Sequence, residues 1–200
     1  MNGYFYNITM KRLTLLLFCL AGLAMPAIGQ SIGVKTNLLY GGVTLTPNLG
    51  LEVGLGQRTT LDLSVGYNPW NRNGDYGDNK KLVHLLVQPE FRWWTCERFN
   101  GHFFGVHAIF SKYNVGGHKV QNVFKKDFRY EGFAYGGGIS YGYHLMLGTR
   151  WGLEFNVGVG VAHLAYDRYG CDKCAGKVSK GKNTYFGPTR AGITLVFLIK

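Results

Sequence analysis

The stretch Trp151-Gly152-Leu153-Glu154-Phe155-Asn156-Val157-Gly158-Val159-Gly160-Val161-Ala162 decides the fold. Odd positions carry large apolar side chains, and even ones carry glycine, alanine, asparagine or a lone glutamate. A strand points successive side chains to opposite faces, so this run predicts a strand with one bulky apolar face and one small-residue face. The period recurs along the chain. Leu49, Leu51, Val53 and Leu55 alternate with Gly50, Glu52, Gly54 and Gly56, and Leu61 to Tyr67 alternate with Thr60 to Gly66. Val83, Leu85, Val87, Phe91 and Trp93 flank a set containing His84, Gln88, Glu90 and Arg92. Phe133 to Tyr143 and Ala191 to Ile199 repeat the pattern. Strands near Val34 to Gly41 and His102 to Lys112 are less cleanly phased and bring the expectation to eight.

A soluble barrel of the lipocalin kind would turn the apolar face in and a charged face out. Here the other face is mostly glycine, alanine and serine with isolated charges, which suits the cramped inside of an eight-stranded barrel. The bulky face is then expected to meet lipid. Composition agrees: glycine numbers 30, aromatics are 15% and charged residues only 16%, against about 25% charged in soluble domains. Outside the N-terminus no apolar run reaches the roughly 20 residues of a membrane helix, so strands must do any spanning, and only a closed barrel satisfies their backbones in lipid. The expectation is an all-β fold, an eight-stranded antiparallel up-and-down transmembrane β-barrel with an N-terminal signal peptide.

Lys11 and Arg12 followed by apolar Leu13 to Met25 and the small-residue exit Ala27-Ile28-Gly29 make residues 1–29 read as a secretory signal. Met10-Lys11-Arg12 reads more like a natural start than Met1. Residues 30–200 form one barrel domain, without repeat or linker. The formal charge is +11, or +9 without Lys11 and Arg12. A secreted chain has little call on nucleic acid, so lipid headgroups and lipopolysaccharide are the expected counter-charge, at the outer membrane of a Gram-negative bacterium.

Connections at 56–59, 95–101 and 145–150 read as short, while those at 68–81, 113–131 and 167–184 read as long and the first, near 42–48, as brief. Short and long connections in alternation match periplasmic turns and extracellular loops. That orientation places Trp93, Tyr143 and Trp151 in a periplasmic aromatic girdle, and Tyr67, Trp70, Phe110, Tyr113, Phe133 and Tyr166 near the outer interface. Lys80, Lys81, Lys119, Lys125, Lys126 and Arg129, with Lys173, Lys177, Lys180 and Lys182, would make basic surface loops.

Lys35, Glu52, Asp62, Glu90, Arg92, Glu154 and Arg190 all fall on the small-residue face. Paired carboxylates can serve as acid and base. Four acids against three bases also suit a structural ion-pair network filling a closed lumen, because buried charges must be paired. The structural role is the expectation, with no open pore. Ser111 and His107 share a strand face four residues apart, roughly 13 Å and too far for proton transfer. No Gly-x-Ser-x-Gly elbow is present. No catalytic activity, cofactor or metal is expected; a lipid-modifying barrel enzyme and a narrow channel are the rival readings. Cys171-x-x-Cys174 has metal or redox spacing, but a basic loop short of further ligands favours a local disulfide or two free thiols. Cys96 has no evident partner in sequence.

The segments Lys35-Thr-Asn-Leu-Leu-Tyr40, Thr46-Pro-Asn-Leu-Gly50, Tyr67-Asn-Pro-Trp70, Gln88-Pro-Glu-Phe-Arg92, Phe99-Asn-Gly-His102 and Gly187-Pro-Thr-Arg-Ala191 resemble a family of outer-membrane proteins from gut anaerobes classed as a domain of unknown function. The resemblance runs from about Ile32 to Lys200 and implies an OmpA/OmpX-type barrel without established catalytic residues. It also implies a link to fimbrial or other surface proteins as partners; a monomer is expected.

Overall fold

The period-two stretches pair in sequence order. The computed structural model describes residues 32–70, 81–116, 128–170 and 177–199; residues 1–29, read from sequence as a signal, and the Cys171 and Cys174 pair lie outside the described residues. The strands are β1 (Ile32–Asn37), β2 (Asn48–Gly54), β3 (Thr59–Asn68), β4 (Lys81–Trp94), β5 (Gly101–Gly116), β6 (Phe128–Met146), β7 (Trp151–Gly170) and β8 (Lys177–Ile199), and helix α1 (Leu38–Thr44) joins β1 to β2. Each strand pairs antiparallel with the next, and β1 closes the ring on β8 from Ile32↔Ile199 to Asn37↔Thr194. The end bearing the turns at 55–58, 95–100 and 147–150 is called lower here.

Large apolar side chains cover the outside, where Val106 and Ile139 are each 64% exposed and Phe186 78%. The inner face is small because the wall bends sharply. A Cβ at Gly136 would collide with the carbonyl oxygen of Val161, and one at Gly160 with that of Gly137. Only glycine lets β6 and β7 approach in this way. Proline marks two local departures. Pro89 faces Leu63 on β3, and the β4–β5 bridges pause at Gln88 and Pro89 without losing register. Pro188 pairs with Val159, and the ladder slips between Gly158 and Val159, leaving Thr189 as the extra residue of a bulge.

Three expectations are corrected. The first strand stops at Asn37 instead of Gly41. The Asn37 side chain accepts a hydrogen bond from the Tyr40 amide at 3.1 Å and so caps α1, and Leu45 ends the helix in the left-handed region at φ 52°. Two of the three long connections are shorter than expected, because β5 runs to Gly116, β6 begins at Phe128, β7 ends at Gly170 and β8 begins at Lys177, while the connection from Asn68 to Lys81 keeps its expected length. Charged, glycine-containing sequence there reads as loop, yet Asp167↔Lys180 and Ala165↔Lys182 lie in continuous ladder. Finally, Tyr113 and Tyr166 do not join an outer aromatic belt. Tyr113 is 6% exposed on the inner face, packed with Tyr130 and Tyr166. By contrast Tyr67, Trp70, Phe110 and Phe133 are exposed.

The lower lumen is closed by Trp94, Phe99, Phe103, Val196 and Leu198, with Met146 against them. Phe99 reaches in from the 95–100 turn with φ 60°. Its ring lies 6.0 Å from that of Trp94, which in turn sits 4.8 Å from Phe103.

Candidate functional site

Register alone creates an electrostatic problem in mid-barrel. Glu52 pairs with Asp62, and Asp62 with Glu90, so three adjacent strands present acids in one row on the inner face. Like charges side by side are destabilising, and these are 0%, 0% and 1% exposed. The solution is Arg92, one inward position further down β4. Its Nε donates to Glu90 Oε2 at 2.6 Å, and Nη1 donates to Glu52 Oε2 and to Glu154 Oε2, each at 2.9 Å. Its Nη2 donates to Glu154 Oε1 at 3.1 Å and to Asp62 Oδ2 at 3.2 Å. One guanidinium thus bonds four carboxylates, with a bidentate hold on Glu154 that a lysine could not copy.

Two further cations complete the cluster. Lys35 pairs with Glu52 and donates to Glu154 Oε2 at 2.7 Å. Arg190 donates through Nη2 to Asp62 Oδ2 at 2.7 Å and lies 3.3 Å from Glu90 Oε2. All seven inner-face charges singled out from sequence therefore meet in one group. Neutral donors take up further acceptor capacity: Thr60 on Glu52, Ser140 on Glu90, and Asn156 Nδ2 on Glu154 Oε1 at 2.8 Å. The cluster is tied to the lower plug, because Trp94 Nε1 donates to Thr60 Oγ1 at 2.9 Å and the Arg92 guanidinium lies 4.4 Å above the Phe103 ring. Sequence reasoning missed Trp94 and Phe99. The signal for Trp94 was its parity with Arg92 on β4.

Chemically the cluster is close to saturated. Each carboxylate is bonded to at least two partners, and of the cluster's buried atoms only Asp62 Oδ1, Arg190 Nη1 and Asn156 Oδ1 lack a bonded partner among the described residues, which leaves little freedom for proton transfer. His107 does not engage Ser111. Its Nε2 lies 2.9 Å from the Thr189 hydroxyl, and its Nδ1 is buried with no bonded partner among the described residues, so no carboxylate orients the ring as a triad would require. Thr189 was not foreseen, because its inward aim comes from the bulge. Among the described residues no group of three potential metal ligands occurs.

Outside the barrel, near its lower end, Trp93, Tyr143 and Trp151 are 47%, 39% and 49% exposed. Trp93 stacks on Phe104, Phe104 packs at a tilt against Tyr141, and Tyr141 Oη meets His102 Nδ1 at 2.7 Å. Tyr143 packs on His102 and Trp151 on Phe197. Of the basic residues placed at the opposite end, Lys180 and Lys182 are exposed along β8, and Arg129 lies 4.6 Å above the Tyr169 ring. Lys81 and Lys177 open strands; Lys80, Lys119, Lys125, Lys126 and Lys173 lie outside the described residues. Cys96 is a free, exposed thiol.

Residues 13–199 match a family described as "Protein of unknown function (DUF3575)". The chain belongs to that family. No curated protein and no solved structure matches it. The family match spans all the strands of the barrel, together with the cluster and plug that fill it.

Proposed function

We propose that the mature chain is an integral outer-membrane β-barrel of a Gram-negative envelope with a structural or surface-interaction role, serving envelope or fimbrial assembly and not catalysis. The observation that carries this reading is the outward-facing apolar wall: Leu49 at 63%, Val106 at 64%, Val157 at 62% and Phe133 at 60% exposed lie on four different strands. Soluble monomers rarely expose a contiguous apolar patch beyond a few hundred Å², whereas lipid needs such a belt. The aromatic row from Trp93 to Tyr143 suits the lower membrane interface, and residues 1–29 supply the export signal. The exposed Lys180 and Lys182 would face lipopolysaccharide phosphates. A lumen crossed by the charge cluster and sealed by Trp94, Phe99 and Phe103 favours a closed barrel over a channel.

Expression with the native leader, followed by membrane fractionation, tests the reading. The mature chain should appear in the outer-membrane fraction, resist extraction by carbonate and salt, and migrate faster on a gel when unheated. Recovery in a detergent-free periplasmic extract would overturn it. Steady, large conductance in planar bilayers would overturn the closed lumen while leaving the membrane assignment standing.

A further inference from the structure

Above the charge cluster the lumen widens into a cavity of about 500 Å³, within the usual size range of small-molecule sites. Its floor includes Lys35, Glu154 and Arg190, which are 0–7% exposed and bonded within the cluster. Its inner wall offers uncharged hydrogen-bonding groups, among them Ser64, Gln88 and Thr194. Its remaining wall comes from the outside of the barrel: Leu39 and Val43 on α1, the latter 74% exposed, and Pro188 and Ala191 on β8.

That mixture of inside and outside residues has a cause in the topology. β1 ends opposite Thr194, but β8 continues upward to Lys177, so from Ile193 onward β8 has no β1 partner and α1 stands in the gap. Side chains stitch the seam where a strand ladder is missing. Asn37 Nδ2 donates to the Ala191 carbonyl and Gln88 Nε2 to the Thr189 carbonyl, each at 3.1 Å. Such a seam opens more readily than a ladder, in which every other residue is bonded twice. It also lies at membrane depth. Ala191 is eight residues above Ile199, about 26 Å along the strand and about 20 Å in height at a tilt of ~40°, inside an apolar band ~25 Å tall.

We infer that this cavity is a side-entry site for an uncharged single-chain amphiphile of the monoacylglycerol class. The hydroxyl-bearing head meets Ser64, Gln88 and Thr194, and the acyl chain leaves between α1 and β8 to join the surrounding lipid. An anionic head, which the lauric acid arm below tests, is disfavoured because four carboxylates in the cluster outnumber its three cations, each already paired with them, and Arg190 Nη1 is left as a donor for a neutral oxygen. The inference rests on the membrane reading proposed above.

The test uses the mature barrel in phosphocholine nanodiscs, offered 1-monolauroylglycerol, with retained probe read by native mass spectrometry. Wild type should retain one probe molecule per barrel. Val43→Trp, at the exposed mouth, and Ser64→Leu, inside, should each cut retention about tenfold, and Val106→Trp, on the exposed wall of β5 across the ring from the seam, should leave it unchanged. Ser64→Leu can disturb folding through the Ser64–Asp62 contact of 3.1 Å; Val43→Trp touches no bonded group and keeps the test decisive. Equal retention by all variants would mean loosely associated lipid only, and no retention a water-filled lumen; either overturns the inference while the membrane reading stands. Stronger retention of lauric acid would overturn the uncharged head, and equal retention of free glycerol the role of the chain. A chain that stays outside the discs would defeat the membrane reading, and this inference with it.

Discussion

Arg92, in the middle of the lumen, bonds four carboxylates and covers the Phe103 ring, whereas Tyr40, near the top, hangs from α1 by one hydrogen bond to His84. The middle and lower lumen is over-determined: charges, hydroxyls and rings fix one another through several contacts each. Beneath α1 the upper lumen is spanned by single bonds across a cavity, such as Tyr40 to His84 and Gln88 to Thr189, while Tyr113 and Tyr130 pack its opposite side. That difference teaches how a small barrel can be both rigid and permissive. The wall needs a filled centre to close around, and the cluster and plug supply it, so the region above is free to stay open.

The most severe way to break the comparison is Arg92→Ala. It leaves only Lys35 and Arg190 to balance four carboxylates in a site 0–1% exposed, and removing one partner of a buried charge network costs about 3–5 kcal/mol or more. The folded, fast-migrating band on unheated gels should be largely lost. Arg92→Lys should recover only part of it, because an ammonium cannot grip Glu154 at two oxygens while also reaching Glu52, Asp62 and Glu90. A normal folded fraction for Arg92→Ala would mean that the wall closes without its centre.

Much of this contrast was legible in the sequence, and the illegible part has physical reasons. Period-two alternation marked the strands and sorted the seven charges to one face, since a strand's side-chain period leaves no other choice. Which acid met which base was not legible. That depends on register across strands far apart in the chain, as for Lys35 with Glu154. The helix at 38–44 was hidden because its decisive feature is one capping side chain, Asn37, in a segment that otherwise looks like a strand. The inward turn of Thr189 was hidden because a bulge shifts parity by one residue. The upper strand segments were mistaken for loops because lysine and glycine resemble loop composition even where the ladder continues.

Trp94→Ala should rank second. It empties a fully buried position between Phe99 and Phe103 and removes the donor to Thr60. Large aromatic-to-alanine changes in packed cores cost about 3–5 kcal/mol, but here the charge cluster remains paired. The barrel should therefore still fold while its urea midpoint falls. A loss exceeding that of Arg92→Ala would reverse the order and make the aromatic plug the principal support of the closed ring.

Tyr40→Phe sharpens the comparison from the other side. The Leu82 carbonyl, 3.3 Å from His84 Nδ1, can only accept, so Nδ1 carries the hydrogen and donates to it. Nε2 of the neutral ring then accepts from the Tyr40 hydroxyl. Phenylalanine keeps the ring packed against Gly66, where an added Cβ would collide with it, and removes only the hydroxyl. The net loss should be about 0.5–1.5 kcal/mol, small beside either change lower down. Nitrogen NMR of His84 provides the finer readout: Nε2 should lose its hydrogen-bonded shift while Nδ1 stays protonated. If Tyr40→Phe instead lowered the urea midpoint as far as Trp94→Ala, the helix would be a structural keystone, and the upper lumen would be as over-determined as the lower.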